Sequence, residues 1–340
     1  MSAADAPAAV DLRDFKSALI VKPSSLGDIV HALPAVRFIK QAHPHLKLRW
    51  IVNSEWAPLV EGCPFVDEVI AFPRKSFRGI TGGFRWLGWA ARWNRARREP
   101  PEIVLDFQGL LRSALIAYAR GADWITGMSD AREGASRFFD QVVAVDAQAH
   151  AVERSLALAR ACGVSAPAVE VVFDLPEGSA PDAFDAATPF VLLHPWSRGA
   201  DKSLAPEALR TLCECLAGVR VVVVGVSGAA APAAGGRLVD LTNLTTLPQL
   251  VWLMRRARAC VSVDSGPMHL AAAVNDRTLG IHTWSDPRRV GPWNSAAWVW
   301  KAGRIAHRGE FSAGECARDA RVTEADARRI ADFVLGTLTA

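Results

Sequence analysis

One pattern constrains this chain more than any other, because the chain repeats it: a short apolar run, a small polar turn, then apolar residues at helical spacing. Its first instance spans Leu19 to Pro34. Leu19-Ile20-Val21 reads as a buried parallel strand and Ser24-Ser25-Leu26-Gly27 as a turn, while Ile29, Leu33, Val36 and Ile39 form one face of a helix. That order places the turn at the carboxyl end of the strand, where open α/β sheets bind ligands. Asp28 falls in the first turn of the helix. Two roles suit it there: a cap that accepts backbone N–H groups and complements the helix dipole, or a base at the mouth of a ligand site.

The unit recurs. Leu48 to Val52 and Glu68 to Phe72 read as strands, separated by a helical piece around Trp56 to Val60 that Gly62 and Pro64 end. Glu102 to Phe107 is a further strand, followed by Gln108-Gly109 and a helix from Leu110 to Ala119. Asp123 to Gly127 suits another strand, and His150 to Cys162 has helical period. Between them, Gly83 to Arg98 carries Trp86, Trp89 and Trp93 at i, i+3 and i+7, with Arg85, Arg92, Arg95, Arg97 and Arg98 around them. Such a stripe packs onto a sheet while its Arg residues face water; the same pattern also suits an anionic membrane surface.

At 340 residues the chain has room for two domains of about 150 residues each. The Pro-, Gly- and acid-rich stretch Asp174 to Asp182 has linker composition, which predicts domains of 1–174 and 175–340. The alternation restarts after it. Phe190 to His194, Val219 to Val224, Ala259 to Val263 and Leu279 to His282 read as strands, the last being the final clear one. Pro206 to Leu216, Leu247 to Ala257 and the stretch from Pro267 to Asn275 read as helices, and so does the tail Glu324 to Leu338, which is expected to pack back on the first half. The fold class is therefore α/β: two Rossmann-like domains with parallel sheets, their strand ends facing a central cleft.

Composition narrows the function classes. A net charge of +4 is too small to argue for nucleic acid. Cys63, Cys162, Cys213, Cys215, Cys260 and Cys316 show no C-x-x-C spacing, as expected of reduced thiols in a cytoplasmic protein. Met1 to Asp14 has no signal-peptide core, and no apolar run approaches the roughly 20 residues that span a bilayer, so a soluble protein is expected. The eight His residues show no metal-ligand spacing, so neither a metal nor another cofactor is expected. Dinucleotide, P-loop and nucleophile-elbow motifs are all missing.

In the second half, Asp264-Ser265-Gly266-Pro267-Met268-His269 follows a strand and starts a helix. Ser265 suits the cap, Pro267 the first turn, and Gly266 lets a ligand approach the backbone. A helix start of this kind accepts phosphate, although a capped helix without a ligand has the same residues. Ser197, Arg198 and Lys202 lie just past another strand end, and Lys is a point-charge partner for phosphate. Together these turns favour a nucleotide diphosphate.

At this point a family resemblance becomes visible. Lys22-Pro23-Ser24-Ser25-Leu26-Gly27-Asp28-Ile29-Val30-His31-Ala32-Leu33-Pro34 resembles the opening motif of the bacterial lipopolysaccharide heptosyltransferases, glycosyltransferase family 9. Val263 to Ala273 resembles their second signature. Asp106 to Ser113, Asp130 to Glu133 and His150 to Arg154 resemble the heptosyltransferase I branch, which adds the first heptose of the inner core. The similarity runs from about Leu19 to Trp293.

The resemblance implies a GT-B fold, an ADP-heptose donor in the C-terminal domain and a Kdo-bearing lipid A acceptor on the N-terminal side. Asp28 matches the position of the family's base, and the leading expectation is metal-independent, inverting transfer; the Trp/Arg helix adds the expectation of a peripheral protein on the inner-membrane surface. Ser197, Lys202, Asp264, Ser265, Gly266 and His269 are then the donor side. Ser24, Ser25, Gly27, Arg74, Lys75, Arg78, Gln108, Arg112 and Arg132 are the acceptor side. Two stretches depart from the family pattern. Val226-Ser227-Gly228-Ala229-Ala230-Ala231-Pro232 holds no Glu where the family has acidic residues for the donor nucleoside. His282-Thr283-Trp284-Ser285-Asp286-Pro287 keeps only the Asp-Pro of a Gly-Pro-Thr-Asp-Pro run. They leave open two alternatives: a family 9 transferase for another nucleotide sugar, and a non-catalytic sugar- or lipid-binding relative.

Overall fold

The computed structural model describes residues 10–79, 81–95, 99–164, 171–182, 184–185, 187–228, 231–232 and 237–339. The chain divides into two units, Met1–Asp174 and Leu175–Ala340. In the first, the order is β1 (Ser17–Val21), α1 (Leu26–Ala42), β2 (Lys47–Asn53), α2 (Ala57–Glu61), β3 (Glu68–Phe72), α3 (Gly82–Arg95), β4 (Glu102–Asp106), α4 (Leu111–Arg120), β5 (Trp124–Met128), β6 (Gln141–Val143) and α5 (Ala151–Ala161). The sheet order is β3-β2-β1-β4-β5-β6 and every pairing is parallel. All five β1 residues are buried, as a central strand covered on both faces requires.

The order reverses between β1 and β4, and at such a switch point the loops leaving neighbouring strands part to open a crevice. On one face of this sheet, α3 and α4 close a core of Leu19, Val21, Ile51, Phe72, Trp93, Val104 and Ile116. The Trp stripe of α3 belongs to it: Trp86 and Trp89 meet Phe72 with ring centroids 6.2 and 5.2 Å away, and Trp89 stacks on Trp93 at 5.4 Å. Arg85, Arg92 and Arg95 are exposed, as the packing reading expects, while Arg97 and Arg98 lie outside the described residues.

The second unit runs β7 (Phe190–His194), α6 (Pro206–Cys215), β8 (Arg220–Val223), β9 (Leu238–Asp240), α7 (Leu247–Arg256), β10 (Ala259–Val263), α8 (Gly266–Val274), β11 (Thr278–His282), α9 (Pro287–Val290), β12 (Trp298–Lys301), β13 (Arg304–His307), α10 (Ala313–Cys316) and α11 (Glu324–Thr339). Its order is β13-β12-β11-β10-β7-β8-β9, with a switch point between β7 and β10. All pairings are parallel except β12 with β13.

Four strands lie beyond those expected from sequence. β6 and β9 have only three residues each, too few to show a period. β12 and β13 form a hairpin after Leu279–His282, so that strand is not the last. Its Ala302-Gly303 turn has φ of 49° and 85°, the left-handed pair that twists a two-residue hairpin correctly. The tail helix α11 sends Ala327, Ile330, Ala331 and Val334 into the core of its own unit, beside Leu209 and Leu212 of α6. Among the described residues all six cysteines are free, and no helix is long and apolar enough to cross a membrane.

A buried ion cluster ties the first sheet together. Glu102 has no exposed surface, and its carboxylate accepts from Arg120 Nε at 2.7 Å and from Arg49 Nη1 at 3.2 Å. Removing one arginine of such a cluster leaves the Glu102 carboxylate only partly compensated, by Arg49, in a low-dielectric interior. Arg120→Met should therefore destabilise the first unit by about 3 kcal/mol, read from urea unfolding by Trp fluorescence, since Arg120 lies over Trp93.

Candidate functional site

At the first switch point, Ser25 caps α1 and Asp28 answers it. Asp28 Oδ2 accepts from Ser25 N at 2.9 Å and from Ser25 Oγ at 2.7 Å. The carboxylate is thereby fixed at the helix start, half-buried, with Ser25 exposed in front of it. Behind it lie groups that local sequence does not reveal. Lys22 is buried, and its Nζ donates to Phe107 O at 2.7 Å. Burial lowers its pKa, against the charges of Asp28 and Asp106.

Asp106 ends β4, and its Oδ1 accepts from the N–H groups of Gln108 and Gly109 at 2.8 and 3.0 Å. Burial pushes its carboxyl up to about 6, despite those hydrogen bonds and the nearby Lys22 charge. Gln108 in turn reaches across the switch point, where its Oε1 accepts from Ser24 N at 3.3 Å. The turn after β1 and the turn after β4 are thus stitched together. Asp130 and Arg154 add an ion pair whose field also reaches Lys22. Arg132 is exposed, and its backbone N–H donates to Gly109 O at 2.8 Å.

The other residues expected on the acceptor side fall into two groups. Arg74, Arg78 and Arg112 line one cavity of about 520 Å³ together with Phe72, Phe77, Trp86 and Glu133. Lys75 sits on the same 3-10 turn as Arg74 and is exposed. Ser24, Ser25, Gly27 and Gln108 instead surround the Asp28 turn. An arginine-lined pocket suits an anionic ligand by charge and by the planar fork of each guanidinium.

At the second switch point the chemistry is denser. Asp264 ends β10 and is buried, and its Oδ2 accepts from Lys202 Nζ at 2.6 Å and from Ser285 Oγ at 2.6 Å. Ser285 Oγ also lies 2.9 Å from His282 Nδ1. Burial favours the neutral Asp264 carboxyl, yet the charges of His282 and Lys202 and the hydrogen bonds from Lys202 and Ser285 outweigh it and hold the pKa at about 2. Burial keeps the His282 imidazole down to about 4, so near pH 7 Lys202 is the cation beside this carboxylate. Lys202 Nζ lies 4.4 Å from the centre of the exposed Trp284 ring.

Ser265 caps α8, with its Oγ 3.1 Å from Val263 O and 3.4 Å from His194 Nδ1. Gly266 and Pro267 open the helix, and His269 is buried in its first turns. Gly225, at φ +133°, closes the floor: a Cβ there would lie 3.0 Å from His194 Cδ2. Next to it, a cavity of about 570 Å³ is lined by Ser197, Arg198, Val226, Ser227, Gly228 and Thr283 among others. Ser227 is clamped to the neighbouring loop, donating from N to Asn243 Oδ1 at 3.1 Å and accepting at O from Asn243 Nδ2 at 2.8 Å. Ala229 and Ala230 of the stretch that lacks Glu lie outside the described residues.

Sequence reasoning located Asp28, Lys202 and Asp264 at their strand ends but missed Lys22, Asp106, His282 and Ser285 as members of the clusters. The Ser-Asp-Pro run at 285–287 was the available signal for the last of these, since Asp286 caps α9 and fixes Ser285 just before it.

Comparison with known proteins gives a consistent result. The signature of glycosyltransferase family 9 (heptosyltransferase) matches residues 89–317. Lipopolysaccharide heptosyltransferase 1 of Pseudomonas aeruginosa is 32% identical over 287 residues, which is 81% of this chain and 81% of that protein. Among solved structures, E. coli heptosyltransferase WaaC with ADP superposes with a TM-score of 0.72 at 24% identity, covering 94% of this chain and 99% of its own. E. coli ADP-heptose lps heptosyltransferase II gives 0.73 at 20% identity over 95% and 98%. At these identities the structural likeness carries the fold.

The Lys202–Asp264 pair has a testable energetic signature. Lys202→Met leaves a buried carboxylate without its cation and should cost about 2 kcal/mol of stability at pH 7. The folded pKa lies below the usual 3.8, so the pair stabilises fully above pH 4 and its contribution is lost as the pH falls towards 2. Urea midpoints of wild type and variant should therefore differ at pH 7 and converge as the pH approaches 2.

Proposed function

The chain belongs to glycosyltransferase family 9, the heptosyltransferases, and from that premise we propose that it moves heptose from ADP-heptose to the Kdo region of lipid A. The transfer inverts the anomeric centre and uses no metal. The observation that carries this reading is the pairing of chemistries at the two switch points: a capped carboxylate, Asp28, on the first sheet, and a cation–carboxylate cluster beside a helix start on the second. A relative named for its ADP-heptose donor and another solved with ADP support the choice of nucleotide.

Asp28 is the base in this scheme. A carboxylate is weak in that role, so it takes the proton late, as the attacking hydroxyl becomes acidic in the transition state. Its second duty, accepting from Ser25, holds it in place while it does so. Lys202, Ser197 and the start of α8 stabilise the negative charge that develops on the departing diphosphate. Asp264 is itself anionic, so it serves the sugar hydroxyls and orients Lys202. Arg74, Arg78 and Arg112 hold the carboxylates and phosphates of the acceptor, with Lys75 on the same turn as Arg74, while Gln108 and Arg132 serve it from the turns next to Asp28. Because the acceptor is a lipid, the same reading makes this a cytoplasmic protein attached peripherally to the inner membrane. A second reading within the family, a different nucleotide sugar, is favoured by the missing Glu after Gly225 and by the Ser227–Asn243 clamp that occupies that region.

Asp28→Asn keeps the acceptor oxygen for Ser25 but removes the base. It should lower turnover by about 10²- to 10⁴-fold with the donor KM little changed, in a purified transfer assay. Turnover within a few-fold of wild type would remove Asp28 from the base role. A panel of nucleotide sugars, followed by nucleotide release, separates the two donor readings: ADP-heptose should be turned over fastest, and a faster rival would establish the second.

A further inference from the structure

The helix α3 carries two opposed stripes, and only one is used by the fold. Trp86, Trp89 and Trp93 face the sheet, whereas Phe84, Leu87 and Ala91 repeat the same spacing on the outside. Residues two apart in a helix lie about 200° apart around its axis, so these stripes point in opposite directions. Phe84 is 80% exposed and Leu87 65% exposed, two large apolar side chains one turn apart in water. Arg85 and Arg92 line the groove beside Phe84, Arg95 follows on the same helix, and all three are exposed. No Asp or Glu occurs anywhere from residue 73 to residue 98. A groove of about 470 Å³ beside Phe84 is lined by Pro73, Phe77, Trp89, Arg85 and Arg92 among others, and holds no acidic residue.

We infer that this ridge docks the protein on a bilayer rich in anionic phospholipid, with Phe84 and Leu87 entering the headgroup–acyl boundary and the arginines engaging lipid phosphates. The chemistry on the ridge is that of an interfacial helix: apolar side chains on one face, Lys and Arg flanking them, and long basic stems that bury their methylenes while keeping their charge in water. Each basic residue near an anionic surface strengthens partition roughly fivefold, and the apolar insertion makes attachment persist when salt screens the charges. A partner protein with an acidic groove would satisfy the charges too, but Phe84 and Leu87 stand proud of the surface at 80% and 65% exposure rather than sunk in a packed pocket, which suits insertion among acyl chains more than the core of a protein interface. The position suits a lipid-linked substrate, because Phe77 contributes to this groove and also to the cavity of Arg74, Arg78 and Arg112. That purpose rests on the function proposed above; the docking itself rests on the surface alone.

The test is co-sedimentation of the full chain with vesicles. Wild type should bind vesicles of phosphatidylcholine with about a third phosphatidylglycerol, and remain in the supernatant with phosphatidylcholine alone, as charge-dependent interfacial helices do. The double variant Phe84→Ser/Leu87→Ser should partition about tenfold more weakly, and Arg92→Gln/Arg95→Gln should weaken binding and flatten its salt dependence. These residues are exposed, so circular dichroism of each variant should match wild type. Failure of wild type to bind anionic vesicles, or equal binding by both variants, would overturn the proposal. Equal transfer by wild type and the apolar variant to a water-soluble acceptor, with unequal transfer to one embedded in vesicles, would support it. Vesicle binding without any transfer would leave the docking intact and sink the function instead.

Discussion

Everything functional in this protein follows from parallel pairing on both sides of a central strand. β1 bonds to β2 and β4, and β7 bonds to β8 and β10, so the chain must leave each central strand in one direction and its neighbour in the other. Backbone bonding is then complete within the sheet, and the polar loops gather where the two courses part. The same rule that buries Leu19 to Val21 therefore exposes Ser25 and half-exposes Asp28, only a few residues further on. Fold and site have a single cause.

The two units use this cause differently. In the first, the charges lie beneath the turn: Lys22 and Asp106 are buried, and Asp28, Asp106 and the half-buried Asp130–Arg154 pair all act on the Lys22 ammonium. In the second, Lys202, Ser285 and Asp264 lie in direct contact at the strand ends, and the neutral His282 backs them. The first arrangement holds one carboxylate in a fixed place. The second offers a cation, a carboxylate and a helix start to one ligand.

Much of this was legible in the sequence, for a physical reason. Phe190–His194 and Glu68–Phe72 were read with their observed bounds because a buried or half-buried strand flanked by turn residues carries its signal locally. Asp28 and Asp264 were legible because each follows such a run. The hairpin of β12 and β13 was not: each strand has only four residues, and its pairing is across a turn of Ala-Gly rather than Asn-Gly. Ser285 and Lys22 were missed because their meaning is non-local. Ser285 reaches a carboxylate 21 positions away, and Lys22 a carbonyl 85 positions away. The α3 stripe shows the limit of periodicity: spacing identified a face, but only packing decided that Trp86 faces inward and Phe84 outward.

The ion pair of Lys202 and Asp264 has one more consequence. An ammonium already compensated at 2.6 Å presents little net charge to a small anion drifting past, so free phosphate or sulfate gains little by approaching it. A ligand gains more when it supplies both replacements together, an anion for the lysine and hydroxyls for the aspartate. The pair is thus electrically quiet towards a lone small anion. On the donor role proposed above, the pair would favour a molecule that carries a phosphate and a polyol on one frame over either half presented alone.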